Sequence, residues 1–205
     1  LLCTLVTAFA LNLKVNAAEV AESVDFTTQS ASHSAYTDSW TYGDWTVSGG
    51  ANNNGDWNYV KMGGKNTNLE KYSDIYIASP NVASATSKVT VNVISGSVAK
   101  AGMSATIGLY VYSDAALSNQ VDYIGGKTIT NSAELFSFTP TNGVSWPANS
   151  YFKVVFNCTN TSTTNGIVWL DNVSIYSDNS GGNTGGDSGN EEVSYNLELV
   201  TNVSD

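Results

Sequence analysis

The chain has 205 residues and a formal net charge of −10 at neutral pH, with 8 lysines, no arginine and 18 acidic residues. This balance excludes a basic nucleic-acid-binding domain, which neutralises phosphates with clustered lysine and arginine. Two cysteines and one histidine exclude a disulfide-stapled scaffold and leave too few ligands for the usual zinc site. A hydrophobic fraction of 41% is enough for a packed core.

Residues 1–18 are predicted to be a secretory signal peptide that is truncated at its start. The apolar run 1–11 is too short to span a bilayer but fits the apolar middle of a signal peptide, and small residues follow it at 15–18. A buried helix is the alternative interpretation. Cleavage would remove Cys3 and leave Cys158 as the only thiol. The mature chain is then expected to be secreted or at the cell surface, without a membrane span.

Residues 19–176 are a domain-sized block of short segments in which apolar and polar residues alternate. Turn signals such as Asn-Gly separate these segments. The alternation predicts about ten strands, at 24–28, 44–48, 58–63, 73–79, 87–95, 104–113, 119–126, 133–139, 151–158 and 166–176. Because each strand has one apolar face and crossover helices are missing, the predicted fold is all-β, an antiparallel β-sandwich with jelly-roll topology.

The C-terminal part is predicted to belong to a longer, modular protein. Residues 177–190 are rich in Gly, Ser and Asn, a composition that is typical of a flexible linker. Residues 191–205 resume an alternating apolar pattern, but a segment of this length cannot bury a core. They are therefore predicted to be the incomplete start of a second domain.

Three segments of the block resemble secreted jelly-roll modules of carbohydrate-binding and MAM-like families: VDFTT at 24–28, SWTYGDWTVSGG at 39–50 and WLDNVSIY at 169–176. The block is also similar to jelly-roll modules near the N-terminus of multidomain extracellular bacterial proteins, some of which carry nuclease or other hydrolase domains downstream. The resemblance implies a non-catalytic module that binds glycan or another extracellular surface ligand. The alternative is a structural accessory domain that positions a downstream catalytic domain.

The first candidate binding residues are aromatic, because an exposed ring can stack on a sugar ring whereas a buried ring fills a core. Alternation assigns Trp57, Tyr59 and Lys61 to one face of a strand, as a candidate aromatic platform. It assigns Val60 and Met62 to the opposite face, which is predicted to be the core face.

Four further aromatic residues are candidates for ligand binding. Trp40 and Tyr42 belong to the Trp-rich segment, in which Trp45 is instead predicted to be a core residue. Tyr110 and Tyr112 lie opposite the apolar face of their strand and form a second candidate pair on an outer sheet face.

The resemblance also implies a structural calcium site. A carboxylate in the closing strand of such modules, here Asp171, can help to hold calcium near the opening strand, where Asp25 is the natural partner. Calcium prefers six to eight oxygen ligands. The alternative is that both carboxylates cap strand ends or face solvent.

The other reactive side chains are predicted to be inert. Cys158 shares a strand face with Phe156, so a buried thiol is expected. His33 is expected to be a solvated loop residue. Since no pair of carboxylates stands in a recognisable glycosidase motif, no catalytic residue is predicted.

Overall fold

The computed structural model describes residues 18–28, 33, 36, 39–52, 58–64, 74–161 and 167–178. Residues Ala18–Asp178 form one compact unit. Residues 1–17, 179–190 and 191–205 lie outside the described residues, so the signal peptide, the linker, the second domain and the domain boundaries stay predictions. In the described part of the chain, no helix is long and apolar enough to cross a membrane.

The described residues form twelve strands in two antiparallel sheets of six strands each. In chain order the strands are β1 (Val20–Asp25), β2 (Trp40–Tyr42), β3 (Trp45–Ser48), β4 (Gly50–Ala51), β5 (Val60–Met62), β6 (Tyr76–Ala78), β7 (Thr86–Val93), β8 (Met103–Tyr112), β9 (Gln120–Thr128), β10 (Glu134–Phe138), β11 (Tyr151–Asn160) and β12 (Val168–Ser177). Sheet 1 has the order β10-β7-β12-β5-β4, with β1 also paired to β12. Sheet 2 has the order β2-β3-β6-β11-β8-β9.

Strands β5 to β12 are divided between the sheets in jelly-roll order. The neighbours β5-β12-β7-β10 belong to sheet 1, and the neighbours β6-β11-β8-β9 belong to sheet 2. The predicted antiparallel jelly-roll sandwich is therefore confirmed, and each of the ten predicted strands has a counterpart. The strands that the prediction missed are β2 and β4, which have three and two residues. Such short strands show no alternation.

The core lies between the sheets and is built from the apolar faces that alternation predicts. Val89, Val91 and Val93 of β7 are fully buried, as are Ile107 and Leu109 of β8. Full burial of one such side chain stabilises the fold by about 1.5–3 kcal/mol. Because successive side chains alternate, the residues between them on the same strands point away from the core.

The opening strand is shifted from its predicted position at 24–28. Strand β1 ends at Asp25, and Phe26–Thr28 form a 3-10 turn in which Phe26 is buried. The Asp25 carboxylate accepts hydrogen bonds from the Thr27 backbone N–H at 2.8 Å and from the Thr27 hydroxyl at 2.6 Å. An aspartate that binds the backbone two residues ahead favours a turn over continued strand, which explains the shift.

Candidate functional site

Five tyrosines share the outer face of sheet 2, and we call this surface the tyrosine face: Tyr76 of β6, Tyr110 and Tyr112 of β8, Tyr123 of β9 and Tyr151 of β11. The strand register places Tyr110 opposite Tyr123 and Tyr112 opposite Tyr151. Tyr76 is opposite Val155, which lies on the same side of β11 as Tyr151. Since these positions alternate with core positions, the rings lie outside the core.

Three rings of the tyrosine face contact one another in near-parallel orientation. The ring centroids of Tyr110 and Tyr123 are 4.3 Å apart with an interplanar angle of 28°. Those of Tyr110 and Tyr112 are 6.1 Å apart at 20°. These distances fall in the range of favourable aromatic pairs, so the three rings form one aromatic surface that crosses from β8 to β9.

Gly108 lets the ring of Tyr123 lie close to the sheet. A Cβ atom at Gly108 would lie 3.2 Å from the Ile124 carbonyl oxygen and 3.6 Å from a ring carbon of Tyr123. Gly108 belongs to the same face of β8 as Tyr110, so the surface of the sheet beside the stacked rings carries no side chain at this position.

The described residues contain one ion pair, which lies at the β6 side of the tyrosine face. Lys153 Nζ is 2.8 Å from Asp74 Oδ2 and 4.1 Å from the ring centroid of Tyr76. Lys153 is opposite Tyr110 in the pairing of β11 with β8. The ion pair therefore borders the stacked rings.

Three tyrosines of this face, Tyr76, Tyr110 and Tyr112, are held in their neutral form. Desolvation raises the pKa of Tyr76, Tyr110 and Tyr112 above the ordinary value, and the negative charge of Asp74 acts in the same direction on all three. Each of these phenols therefore keeps its hydroxyl proton near neutral pH and can donate as well as accept a hydrogen bond.

The predicted platform of Trp57, Tyr59 and Lys61 is described only in part, since Trp57 lies outside the described residues. Tyr59 stacks on Trp169 of β12, with centroids 5.1 Å apart and an interplanar angle of 16°. Lys61 Nζ lies 5.0 Å from the centroid of Trp169 and 5.7 Å from that of Tyr59. We call Tyr59, Lys61 and Trp169 the aromatic cluster of sheet 1.

Packing covers part of the aromatic cluster. A Cβ atom at Gly96 would lie 2.4 Å from a ring carbon of Trp169, so the backbone of Gly96 is in direct contact with the indole. Lys61 is half-buried, and desolvation lowers its pKa. Val60 and Met62 are fully buried, as the alternation predicts.

Tyr42 is a core residue, contrary to its prediction as a ligand-binding residue. Its side chain is 4% exposed. Its ring packs against Phe26 at 4.9 Å, and its hydroxyl donates to the Asp25 carbonyl at 3.2 Å. The turn that ends β1 brings Phe26 under this ring, and this contact is not visible in the local pattern. Trp45 is buried, as predicted.

Trp40 is half-buried and packs against the edge of the core. Its indole Nε1–H donates to the Gly50 carbonyl at 2.9 Å. Its ring stacks on His33 with centroids 4.7 Å apart. His33 is therefore half-buried against an aromatic ring, and the expectation of a solvated loop histidine is wrong. Both residues have packing roles in the described structure.

The predicted calcium residues Asp25 and Asp171 interact electrostatically. Desolvation and then the charge of Asp25 raise the pKa of Asp171. Asp171 Oδ2 accepts a hydrogen bond from Asn92 Nδ2 at 3.1 Å. Among the described residues, no group of three or more His, Cys, Asp or Glu side chains is arranged to hold a metal ion. The calcium site therefore stays a prediction.

Cys158 is a free, half-buried thiol that packs against the core. Desolvation raises its pKa to about 12. The thiol is therefore protonated near neutral pH, when it is a poor nucleophile.

Sequence reasoning found two of the five tyrosines of the tyrosine face. Tyr110 and Tyr112 are two residues apart on one strand, so the local alternation places them together. Tyr76, Tyr123 and Tyr151 lie on other strands and join the face only through the sheet register. The sequence signal that could have indicated this face is the set of tyrosines at polar positions of separate predicted strands.

Neither the known family models nor the curated protein sequences match this chain. Among solved structures, it is similar to a CBM35 from Paenibacillus barcinonensis, with 15% identity, a TM-score of 0.35, and coverage of 72% of this chain and 99% of that chain. It is also similar to the K1 and K3 cleaved adhesin domains of Lys-gingipain from Porphyromonas gingivalis W83, with 18% and 17% identity and TM-scores of 0.39 and 0.38. These two matches cover 82% and 83% of this chain and 98% and 100% of those domains.

Proposed function

We propose that the sandwich is a non-catalytic module that binds a glycan, and that the tyrosine face is the binding site. The observation that supports this proposal is the gathering of five tyrosines from four strands on one outer face. A polar outer face needs no aromatic rings for solubility. Tyrosines offer both a flat surface for the C–H face of a sugar and a hydroxyl for its oxygens.

The extent of the tyrosine face suits a chain of sugars. The face crosses the adjacent strands β6, β11, β8 and β9. Three strand spacings correspond to roughly 14 Å. A ligand that contacts both Tyr76 and Tyr123 must therefore be longer than a single sugar ring, so the proposed ligand is an oligosaccharide or polysaccharide.

An extracellular location is part of the proposal. The predicted signal peptide at 1–18 supports a secreted or cell-surface protein, where glycans are abundant ligands. The net charge of −10 disfavours nucleic acid and other polyanions as partners.

The alternative, a structural accessory domain that separates or positions other domains, has less support. The Ser177 backbone N–H donates to the Glu19 carbonyl at 2.8 Å, so the chain enters and leaves the compact unit at the same place. A unit whose ends lie side by side adds little distance between its neighbours. The adjacent ends of the unit therefore favour a binding role over a spacer role.

The test is a binding panel of cellulose, xylan and chitin with the full chain, followed by calorimetry with oligosaccharides of the polysaccharide that is retained. The double variant Tyr110→Ala, Tyr123→Ala is expected to weaken binding about ten-fold or more, because each lost ring contact contributes about 0.5–1.5 kcal/mol. The matched control is Tyr176→Ala on the outer face of sheet 1, which is expected to bind as the wild type does.

Two outcomes would contradict this assignment. Wild-type binding that is lost in Trp57→Ala, Tyr59→Ala but kept in the tyrosine-face variant would place the site on the aromatic cluster of sheet 1. An absence of binding to the whole panel by the folded wild type would favour the accessory domain instead.

A further inference from the structure

The ion pair of the tyrosine face exposes its negative partner and covers its positive one. The Lys153 side chain is 14% exposed, whereas that of Asp74 is 60% exposed. The Lys153 ammonium lies between Asp74 Oδ2 at 2.8 Å and the ring of Tyr76 at 4.1 Å. Among the hydrogen bonds of the described residues, none is accepted by Asp74 Oδ1, and most of the Asp74 side chain is exposed.

A second carboxylate lies near the stacked rings. Asp114 lies two residues after Tyr112, the last residue of β8. After desolvation and Tyr110, its charge adds to that of Asp74 in raising the pKa of Tyr112. Hydrogen bonds from Ser118 and Asn119 hold the carboxylate of Asp114 in its charged form. The tyrosine face therefore lies in the electric field of two carboxylates, of which Asp74 is paired with Lys153.

The other described lysines do not neutralise this field. Lys61 and Lys88 lie over rings of sheet 1. Lys127 donates to the Ser137 carbonyl of β10, which belongs to sheet 1, and Lys100 lies in the connection between β7 and β8. Among the described lysines, Lys153 is thus the one on the tyrosine face.

We propose that the glycan of the tyrosine face is a polymer of amino sugars with free, protonated amines, one of which binds at Asp74 while the sugar rings stack on the tyrosines. This inference rests on the function proposed above and narrows its ligand class. An ammonium group is attracted both by a carboxylate and by the faces of aromatic rings. A uronic or sulfated polymer would instead meet negative side chains on a negative protein.

The test compares three hexamers by calorimetry with the full chain, at a slightly acidic pH where glucosamine is protonated: fully deacetylated chitosan, N-acetylated chitin and oligogalacturonate. We expect the chitosan hexamer to bind about two- to five-fold more tightly than the chitin hexamer, as for one exposed ion pair. This preference should shrink with added salt, because exposed charges are screened. Oligogalacturonate should bind most weakly.

Charge variants test whether Asp74 causes the preference for the chitosan hexamer over the chitin hexamer. Asp74→Asn should remove it, whereas Lys153→Met should increase it, since methionine keeps the packing on Tyr76 but no longer neutralises Asp74. The matched control Glu134→Gln removes an exposed carboxylate from β10 in sheet 1 and should leave the preference unchanged.

Equal affinity of the wild type for chitosan and chitin hexamers would overturn the amine inference and leave glycan binding intact. A preference that survives Asp74→Asn would overturn the role of Asp74. A failure of the folded wild type to bind any glycan of the panel would overturn the proposed function itself.

Discussion

The two outer faces of the sandwich carry aromatic rings in different ways. On sheet 1, Lys61 lies over the rings of the aromatic cluster, and Lys88 Nζ is 4.1 Å from the centroid of Tyr176. On sheet 2, Lys153 lies over Tyr76, while the near-parallel rings of the tyrosine face contact one another. A ring under a lysine stem is occupied by the protein itself, whereas a ring that only touches other rings keeps surface for a ligand.

The carboxylates of the two sheets differ as well. Substitution of Asp122, on β9 of sheet 2, has the largest expected effect on the free energy of unfolding. The Asp122 carboxylate accepts hydrogen bonds from Trp146 Nε1 at 2.7 Å, from Thr141 and from the Tyr123 backbone. Trp146 is 2% exposed. Asp122→Asn leaves these donors without a second acceptor oxygen and should lower the free energy of unfolding by about 1–3 kcal/mol, measured by urea denaturation.

The pH dependence of this effect has a defined sign. Burial acts to raise the pKa of Asp122, but the hydrogen bonds from Trp146, Thr141 and Tyr123 outweigh it and hold the pKa below the ordinary value. The contribution of the carboxylate is therefore complete above the unfolded pKa of about 3.9 and is lost as the pH falls through the folded pKa. A stability difference between wild type and Asp122→Asn that does not shrink in acid would contradict this account.

Tyr176 and Tyr123 test the comparison between the faces directly. Tyr176→Ala should cost about 0.5–1 kcal/mol of stability through its cation–π contact, and Tyr123→Ala about 0.5–1.5 kcal/mol through its stacking on Tyr110, while only Tyr123→Ala should weaken glycan binding. The two variants are compared by thermal unfolding and calorimetry in the same buffer. Equal loss of glycan affinity in both would remove the distinction between the faces.

Asp171 has the smallest expected effect, with the opposite sign from Asp122. Desolvation and the charge of Asp25 raise its pKa, so the charged form is disfavoured in the folded protein. Its protonation stabilises the fold below the unfolded pKa of about 3.9, and this stabilisation is lost as the pH rises through the folded pKa. In chelator at neutral pH, Asp171→Asn should therefore raise Tm slightly.

Calcium reverses this expectation if Asp25 and Asp171 hold the ion as the resemblance implies. The wild type should then gain Tm with added calcium, and Asp171→Asn should not. Equal Tm values of the wild type in calcium and in chelator would exclude the site.

The outward position of Tyr110 and Tyr112 was predictable because side-chain alternation is a property of one strand. The presence of Tyr123 and Asp74 on the same face was not predictable, because it depends on which strands become neighbours and on their register. Tyr42 was predicted to bind ligand but is buried. A strand of three residues has too little alternation to indicate its buried side, and the burial of its ring comes from Phe26 on a distant turn.

The sequence by itself determined an all-β jelly-roll sandwich, its acidic character and the core faces of its long strands, because strand period and turn chemistry are encoded over a few residues. Only the tertiary structure decided which aromatic rings lie under a lysine and which contact other rings on the outer face of a sheet. That choice depends on contacts between residues far apart in the chain, such as Lys61 with Trp169 and Lys153 with Asp74. The tyrosine face is a product of strand order, and strand order is a property of the whole sheet.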